Sequence, residues 1–396
     1  MTTRSDRLRI VVLGYVVRGP VGGMAWHHLN YVRGLADMGH DVLFMEDSDD
    51  YPLCYDPSTF TTGCDPRYGI DFARRAFDLI GLADDWCYFD AHADRWMGPA
   101  AHRAIAFCRD ADLVLNISAM NPLRDWTGEI PVRAYVDTDP LFTQARHCSE
   151  PEALERARQH NRFFTFGELI PQGRSMAPDD GITWHPTRQP VALSAWDMRR
   201  GQPDGAMTTV MQWDSYRTRR IGWREFGMKS ASFAGYEDLP SRVDAAMALA
   251  LGGDTAPHDA LAALGWRIDD PMEVTRTVES YRDYIGASKG EWSVAKHGYV
   301  AGRTGWFSER SACFLASGRP VVVEDTGCSQ FLDADGGLIF FSTPDEAVEA
   351  IREIESDYTR HCSAAREVAE THFAAHGVLS DMIEHCAVAD SEKAVA

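Results

Sequence analysis

LRIVVLGYVVRGPVGGMAWHHLNYVRGLADMGHDVLFMED, residues 8–47, decides how this chain folds. Its first ten residues are almost wholly apolar and rich in β-branched side chains, the pattern of a strand buried on both faces of a parallel sheet. RGPVGG then supplies turn residues, WHHLNYVRGLADMG places apolar residues at helical spacing, and Gly39 stops the helix. DVLFMED reads as a second apolar strand ending in acids. One β-loop-α-β unit of this kind is the repeating block of a doubly wound α/β domain.

The same theme continues in both directions along the chain. ADLVLNIS at 111–118, VRAYVD at 132–137 and RFFTFGE at 162–168 are further strands of the first half. TWHPTRQPVALSAWDMRRGQPDG, residues 183–205, holds three prolines and no periodic pattern, as a connection between lobes does. Beyond it MTTVMQW, SASFAGY, GRPVVVEDTG and GGLIFFS read as strands, and VDAAMALALGG as a helix running into a turn or a short strand. TPDEAVEAIREIESDYTRHCSAAREVAETHF is a long helical tail opened by a Thr cap. The last residues, ADSEKAVA, lack a core-facing pattern and are expected to fray. The expected fold is α/β, with two facing Rossmann-like domains over residues 1–195 and 206–365. Helices over 366–390 cross back to the first domain.

A length of 396 residues fits about two domains at roughly 100 to 200 residues each. The 39 Lys and Arg against 59 Asp and Glu leave a net charge of −20, which repels phosphate backbones and anionic membranes at long range. On that ground no nucleic acid partner is expected, while a phosphorylated small molecule stays possible in a locally basic pocket. Nine cysteines without a C-x-x-C pair read as reduced thiols, neither a disulfide ladder nor a metal site. The apolar start is broken by Arg18 and Gly-Pro, too short for a membrane span and without a cleavage pattern, so a cytoplasmic protein is expected.

Chemistry is concentrated in three places. Gly14, Gly19, Gly22 and Gly23 surround the first strand-to-helix turn; they let backbone approach a ligand, although the G-x-G-x-x-G dinucleotide fingerprint is absent. Just after them His27, beside Trp26 and His28, could relay a proton. In TGWFSERSACFLASGRPVVVEDTG, residues 304–327, Ser308 caps a helix through Ala316 and Gly318 ends it. Lys296, Arg303 and Arg310 converge on that helix start, where free N–H groups suit a diphosphate. Surface pairing of Arg303 and Arg310 with Glu291, Glu309 or Asp325 is the structural alternative. Trp306 and Phe307 could cover a ring or simply pack. Asp137 ends a strand and is a candidate base, with turn capping before Pro140 as its alternative; capping is the better reading for Asp139, and Glu168 is open. Asp325 and Thr326 follow a strand and face the same donor region.

These pieces resemble nucleotide-sugar glycosyltransferases of the GT-B architecture. GGMAWHHLNYVRGLADMGHDV looks like their amino-terminal glycine-pair loop, helix and strand entry; SERSACFLASGRPVVVEDTG looks like their donor-site helix, Gly-x-Pro turn and strand. HFAAHGVLSDMIEH is similar to their terminal crossing helices. The resemblance implies transfer of a sugar, of the hexosyl kind, from a nucleoside diphosphate sugar to a small-molecule acceptor, with no metal and no other cofactor. It implies that Gly22 and Gly23 approach the donor diphosphate, that His27 faces the acceptor or the transferred sugar and that Ser308 with Arg310 contacts donor phosphates; Lys296, Arg303, Gly305, Trp306, Ser311, Asp325 and Thr326 are read as further donor contacts, and Asp137 beside His27 as a catalytic candidate. Two departures stand out. The paired glutamates of many retaining relatives fall on Gly305 and Cys313, and the Arg and Lys that such relatives place after the first strand of the second lobe are not evident in MQWDSYRTRR, where Arg217, Arg219 or Lys296 could substitute. DTD at 137–139 has the letters of a metal-bridging loop but lies in the acceptor lobe. A sugar-nucleotide epimerase and a noncatalytic sugar- or nucleotide-binding protein share these features and are the alternatives.

Overall fold

A computed structural model describes residues 7–49, 53–332 and 336–393. Two sheets dominate it. The first runs, edge to edge, His185–Pro186, Arg162–Thr165, Val132–Asp137, Leu113–Ile117, Arg9–Leu13, Asp41–Asp47, Trp86–Asp90 and Arg95–Met97. All neighbours are parallel except the last pair. The second runs Arg267–Asp269, Met247–Gly252, Met207–Gln212, Gly290–Ser293, Val321–Glu324 and Leu338–Phe341, parallel throughout. In each sheet the strand order reverses beside its first strand. Side chains at the carboxyl ends of the strands flanking that reversal are where open α/β sheets hold ligands.

The first helix, Gly22–Asp37, is buried along most of its length because it packs against three partners. A Cβ on Gly22 would lie 2.4 Å from the Thr277 carbonyl oxygen and 2.7 Å from the Tyr281 Cβ of the second lobe. A Cβ on Gly34 would lie 2.5 Å from Ala375 Cβ on helix Ala375–Lys393, which crosses back from the chain end. The Trp26 indole donates to the Val278 carbonyl at 2.8 Å, and Asn30 Oδ1 accepts from Ala192 N and Trp196 Nε1 in the connection between lobes. The lobes are thus joined along this helix by apolar burial and a few satisfied polar groups. Arg319, fully buried, fixes the connection to the second lobe by donating to the Arg200 and Gly286 carbonyls.

Three expected elements differ. SASFAGY is not a strand but helix Lys229–Phe233 with a following turn. VDAAMALALGG contains the buried strand Met247–Gly252 instead of a helix; a run buried on both faces has no polar periodicity to separate the two forms. The long tail breaks at Asp357, whose carboxylate caps the next helix, Tyr358–His372, by accepting from Arg360 N. Helix Ala375–Lys393 continues into ADSEKAVA, and residues 394–396 lie outside the described residues.

Candidate functional site

A cleft of about 890 Å³ opens between the lobes where the two sets of carboxyl ends face each other. Ser308 begins helix Glu309–Ala316 at its floor, the hydroxyl oxygen accepting from Arg310 N at 3.2 Å. His27 faces the same space from the first lobe, 7% exposed, with Nδ1 lacking a hydrogen-bond partner among the described residues. Burial lowers its pKa, against the pull of Glu309, so the imidazole is neutral at pH 7. His28 is packed in the core against Tyr15 and Phe44.

Lys296 and Trp306 also line the cleft. The Lys296 ammonium donates to Asp139 Oδ1 at 2.9 Å and to the Tyr216 hydroxyl at 2.8 Å, while the Tyr216 and Tyr299 hydroxyls both donate to the Asp139 carboxylate. Asp139 therefore ties the first lobe to the second across the cleft, a role the capping alternative did not include. Ser311 and Thr326 line a smaller adjoining space with Trp306, Ser308 and Arg310. The Ser311 hydroxyl and the Trp306 indole N–H are buried there without a partner among the described residues.

Several expected site residues are employed elsewhere. Arg310 is 8% exposed, and its guanidinium donates to Glu291 Oε1 at 2.5 Å, the Val210 carbonyl at 2.7 Å and Ser293 Oγ at 2.7 Å. The Glu291 partner is the one expected of the structural alternative, but buried instead of on the surface; with its donors engaged, Arg310 borders the cleft without a guanidinium to offer a phosphate. Asp137 is buried and accepts from Gln144 Nε2, Thr165 Oγ1 and Asp139 N, the last closing an Asx turn. It does not line the cleft. Gly22 serves the lobe contact described above, and Gly23 borders a second cavity. Gly305, with φ +74, turns the chain against Leu169, and Asp325 caps the turn at Gly327 and Ser329. Arg303 is exposed away from the cleft, and Glu168 pairs with Arg188 at 2.5 Å.

The glycine-rich turn after the first strand holds an anion of the chain's own. Glu46 accepts from the amides of Val16, Val17 and Arg18 at 2.6, 2.7 and 2.8 Å, and from Arg18 Nε at 3.1 Å. A nest of N–H groups that would suit a phosphate is filled by this carboxylate.

Lys229 is the residue that sequence reasoning missed. It starts helix Lys229–Phe233, lines the cleft, and has no hydrogen-bond or ion-pair partner among the described residues. Burial pushes its ammonium down to about 7, with Arg310 adding to the shift and Glu309 and Glu291 opposing it. Arg217 lines the cleft without a hydrogen-bond or ion-pair partner among the described residues, and Glu309 faces it from the first helical turn. Reading SASFAGY as a strand hid Lys229; as a helix start beside the first strand of the lobe it would have stood out. Among the described residues no group of three or more His, Cys, Asp or Glu side chains is placed to hold a metal. No described helix is long and apolar enough to cross a membrane.

No protein-family profile and no curated protein sequence matches the chain. Solved structures do. An α-glucosyltransferase in complex with UDP is 12% identical with a TM-score of 0.57, over 96% of this chain and 99% of that one. An α-glucosyltransferase with UDP and a 13-mer DNA containing an HMU base gives 12% and 0.56, over 96% and 100%. Anabaena HepE in complex with UDP and glucose gives 10% and 0.53, over 96% and 99%. The chain has the two-lobed GT-B fold that the resemblance implied.

The exclusion of nucleic acid by net charge is overturned, since a protein of this fold is complexed with DNA. Net charge averages over a surface, whereas a partner meets a local field. Apart from Arg310, which pairs with Glu291, and Arg219, which pairs with Glu150, the described residues lining this cleft set Arg146, Arg217, Lys229 and Lys296 against Asp139 and Glu309.

Proposed function

We propose that the protein moves a hexosyl group from a nucleoside diphosphate sugar to an acceptor hydroxyl, with no metal and no cofactor beyond the donor. The observation that carries this reading is a half-buried Lys229, without a hydrogen-bond or ion-pair partner among the described residues, lining together with Arg217 a cleft floored by the start of helix Glu309–Ala316. Two cations and helix-start amides are what a leaving diphosphate needs, because charge grows on its oxygen as the bond to the sugar breaks. The bond from the anomeric carbon to the phosphate oxygen breaks with its electron pair going to the diphosphate. A bond to the acceptor oxygen forms, and the acceptor proton passes to a base. His27, neutral and buried beside the same space, is the base in this reading. The UDP and glucose named with proteins of the same fold support a uridine donor.

Thermal shift with UDP, ADP and GDP tests the reading. One diphosphate is expected to raise the melting temperature, because a ligand that binds only the folded state stabilises it. Lys229→Met is expected to lose most of that shift while remaining folded. If no diphosphate moves the transition, or if the shift is unchanged in Lys229→Met, the proposal is wrong. Release of UDP from UDP-glucose on adding an acceptor then separates transfer from binding alone, and turnover without any acceptor would favour an epimerase.

A further inference from the structure

YRTRRIGWR, residues 216–224, sets four arginines in nine residues with no acid among them, in a chain whose net charge is −20. The structure makes this stretch a hairpin beside the cleft, with strands Arg219–Ile221 and Arg224–Phe226 paired antiparallel. Gly222 and Trp223 form its two-residue turn. Gly222 lies at φ +61 and Trp223 stays outside the left-handed region, the pattern of a type II′ turn, whose twist matches that of the strands. The root is anchored, with Phe226 2% and Met228 3% exposed in one apolar cluster with Leu141 and Phe142 of the first lobe. The tip is bare: Trp223 is 83% exposed, the most of any large apolar side chain among the described residues.

Two of the four arginines meet a carboxylate. Arg219 pairs with Glu150 of the first lobe at 3.2 Å and Arg220 with Glu225 across the hairpin, whereas Arg217 and Arg224 have no ion-pair partner among the described residues. The Arg220 pair is exposed on both sides, and a solvated pair of that kind holds its arginine only weakly. Arg224 Cζ lies 4.7 Å from the centre of the Trp223 ring, so a guanidinium rests on the tryptophan while most of the ring stays open to solvent. Arg217 and Arg219 also line the cleft. A basic strip with an aromatic ring at its outer end therefore runs from the hairpin tip to the cleft, and its partner must bring both negative charge and a flat ring.

We propose that this hairpin is a docking surface for single-stranded nucleic acid, with a base stacked on Trp223 and backbone phosphates beside Arg220 and Arg224. An acidic peptide satisfies the arginines but leaves the ring bare. An anionic membrane presses a broad plane of like charge against the acidic remainder of the chain, and one tryptophan at the tip is little apolar surface to insert. A single strand is narrow enough to follow the strip while the acidic faces stay in water, where salt screens them beyond about 10 Å. The proposal goes beyond the sugar-transfer reading and does not rest on it.

The test titrates the full chain into a fluorescein-labelled oligothymidylate of about ten nucleotides and follows anisotropy at low salt. The oligonucleotide is expected to bind. Trp223→Ala, at an exposed position, is expected to weaken binding about tenfold and Trp223→Phe, which keeps a ring, by a smaller factor, with the melting temperature unchanged in both. Arg224→Gln is expected to weaken binding and to reduce the slope of log K against log salt by about 0.7, the loss of one phosphate contact on a single strand. Polyglutamate and vesicles of phosphatidylserine with phosphatidylcholine are added as competitors at equal charge concentration, and neither is expected to displace the oligonucleotide. No binding at low salt, or equal binding by Trp223→Ala, overturns the proposal. Displacement by polyglutamate overturns it in favour of an acidic peptide, and displacement by vesicles in favour of a membrane. UDP affinity is measured on the same samples, so a failure of the donor reading shows itself separately, as absent UDP binding beside an intact anisotropy signal.

Discussion

Nucleotide affinity should fall with rising pH, and Lys229 sets the window. In the empty protein burial holds its ammonium at about 7, against an ordinary value of 10.5. A diphosphate beside it favours the charged form and raises the pKa in the complex, so binding takes up a proton between the two values. Affinity is full below pH 7 and declines as pH rises through the window. If the complex restores the ordinary value, the dissociation constant rises about fiftyfold between pH 7 and pH 9, approaching tenfold per unit. The ligand's own second ionisation, near 6 for phosphate groups, lies below this range. Calorimetry of UDP binding at pH 7, 8 and 9, in buffers of differing ionisation enthalpy, reads both the affinity and the proton uptake. A dissociation constant that stays flat, or that rises equally in Lys229→Met, would refute the assignment of Lys229 to the diphosphate.

Two further predictions concern the frame of the site. Arg310→Ala leaves Glu291, fully buried, without its cation, and should destabilise the protein by about 3–5 kcal/mol in chemical denaturation. A loss below about 1 kcal/mol would mean that the pair does not form. Gly22→Ala places a methyl group 2.4 Å from the Thr277 carbonyl oxygen, so the lobes must separate locally at a cost of about 1–3 kcal/mol. The melting temperature should drop, and an unchanged value would show that the lobes are not in contact there.

Much of the architecture was legible in the sequence because parallel strands buried on both faces announce themselves. RIVVL, DVLFMED, VRAYVD and VVVE are apolar runs of strand length, and the structure places each in a sheet. MALALG has the same character, but the alanines and leucines that fill it favour helices, and only its pairing with MTTVMQ settles its form. SASFAGY failed for the opposite reason. Its small polar residues alternate like those of a half-buried strand, yet Ser232 and Phe233 are buried together on one short helical turn.

The site was harder to read for an electrostatic reason. Sequence reveals where a chain could bind an anion, through glycine turns, helix starts and arginines, but not whether the chain itself supplies that anion. With 59 acidic residues against 39 basic ones, carboxylates are in excess. Glu46 fills the nest after the first strand, Glu291 engages Arg310, and Asp139 engages Lys296. Three of the expected phosphate-binding features are thereby matched internally, each by a carboxylate 19 to 157 positions away in sequence. Among the described residues lining the cleft Lys229 and Arg217 stay unmatched, and Lys229, between Met228 and Ser230, stands in a stretch without the arginine-rich look of its neighbours. In an acidic chain a ligand-facing cation is therefore identified by the absence of a carboxylate within reach, and that is a property of the folded cleft. The same reasoning explains why net charge failed as a guide to partners: acids that pair inside the fold, or lie far from the cleft, add to the total without weakening the field an incoming phosphate meets.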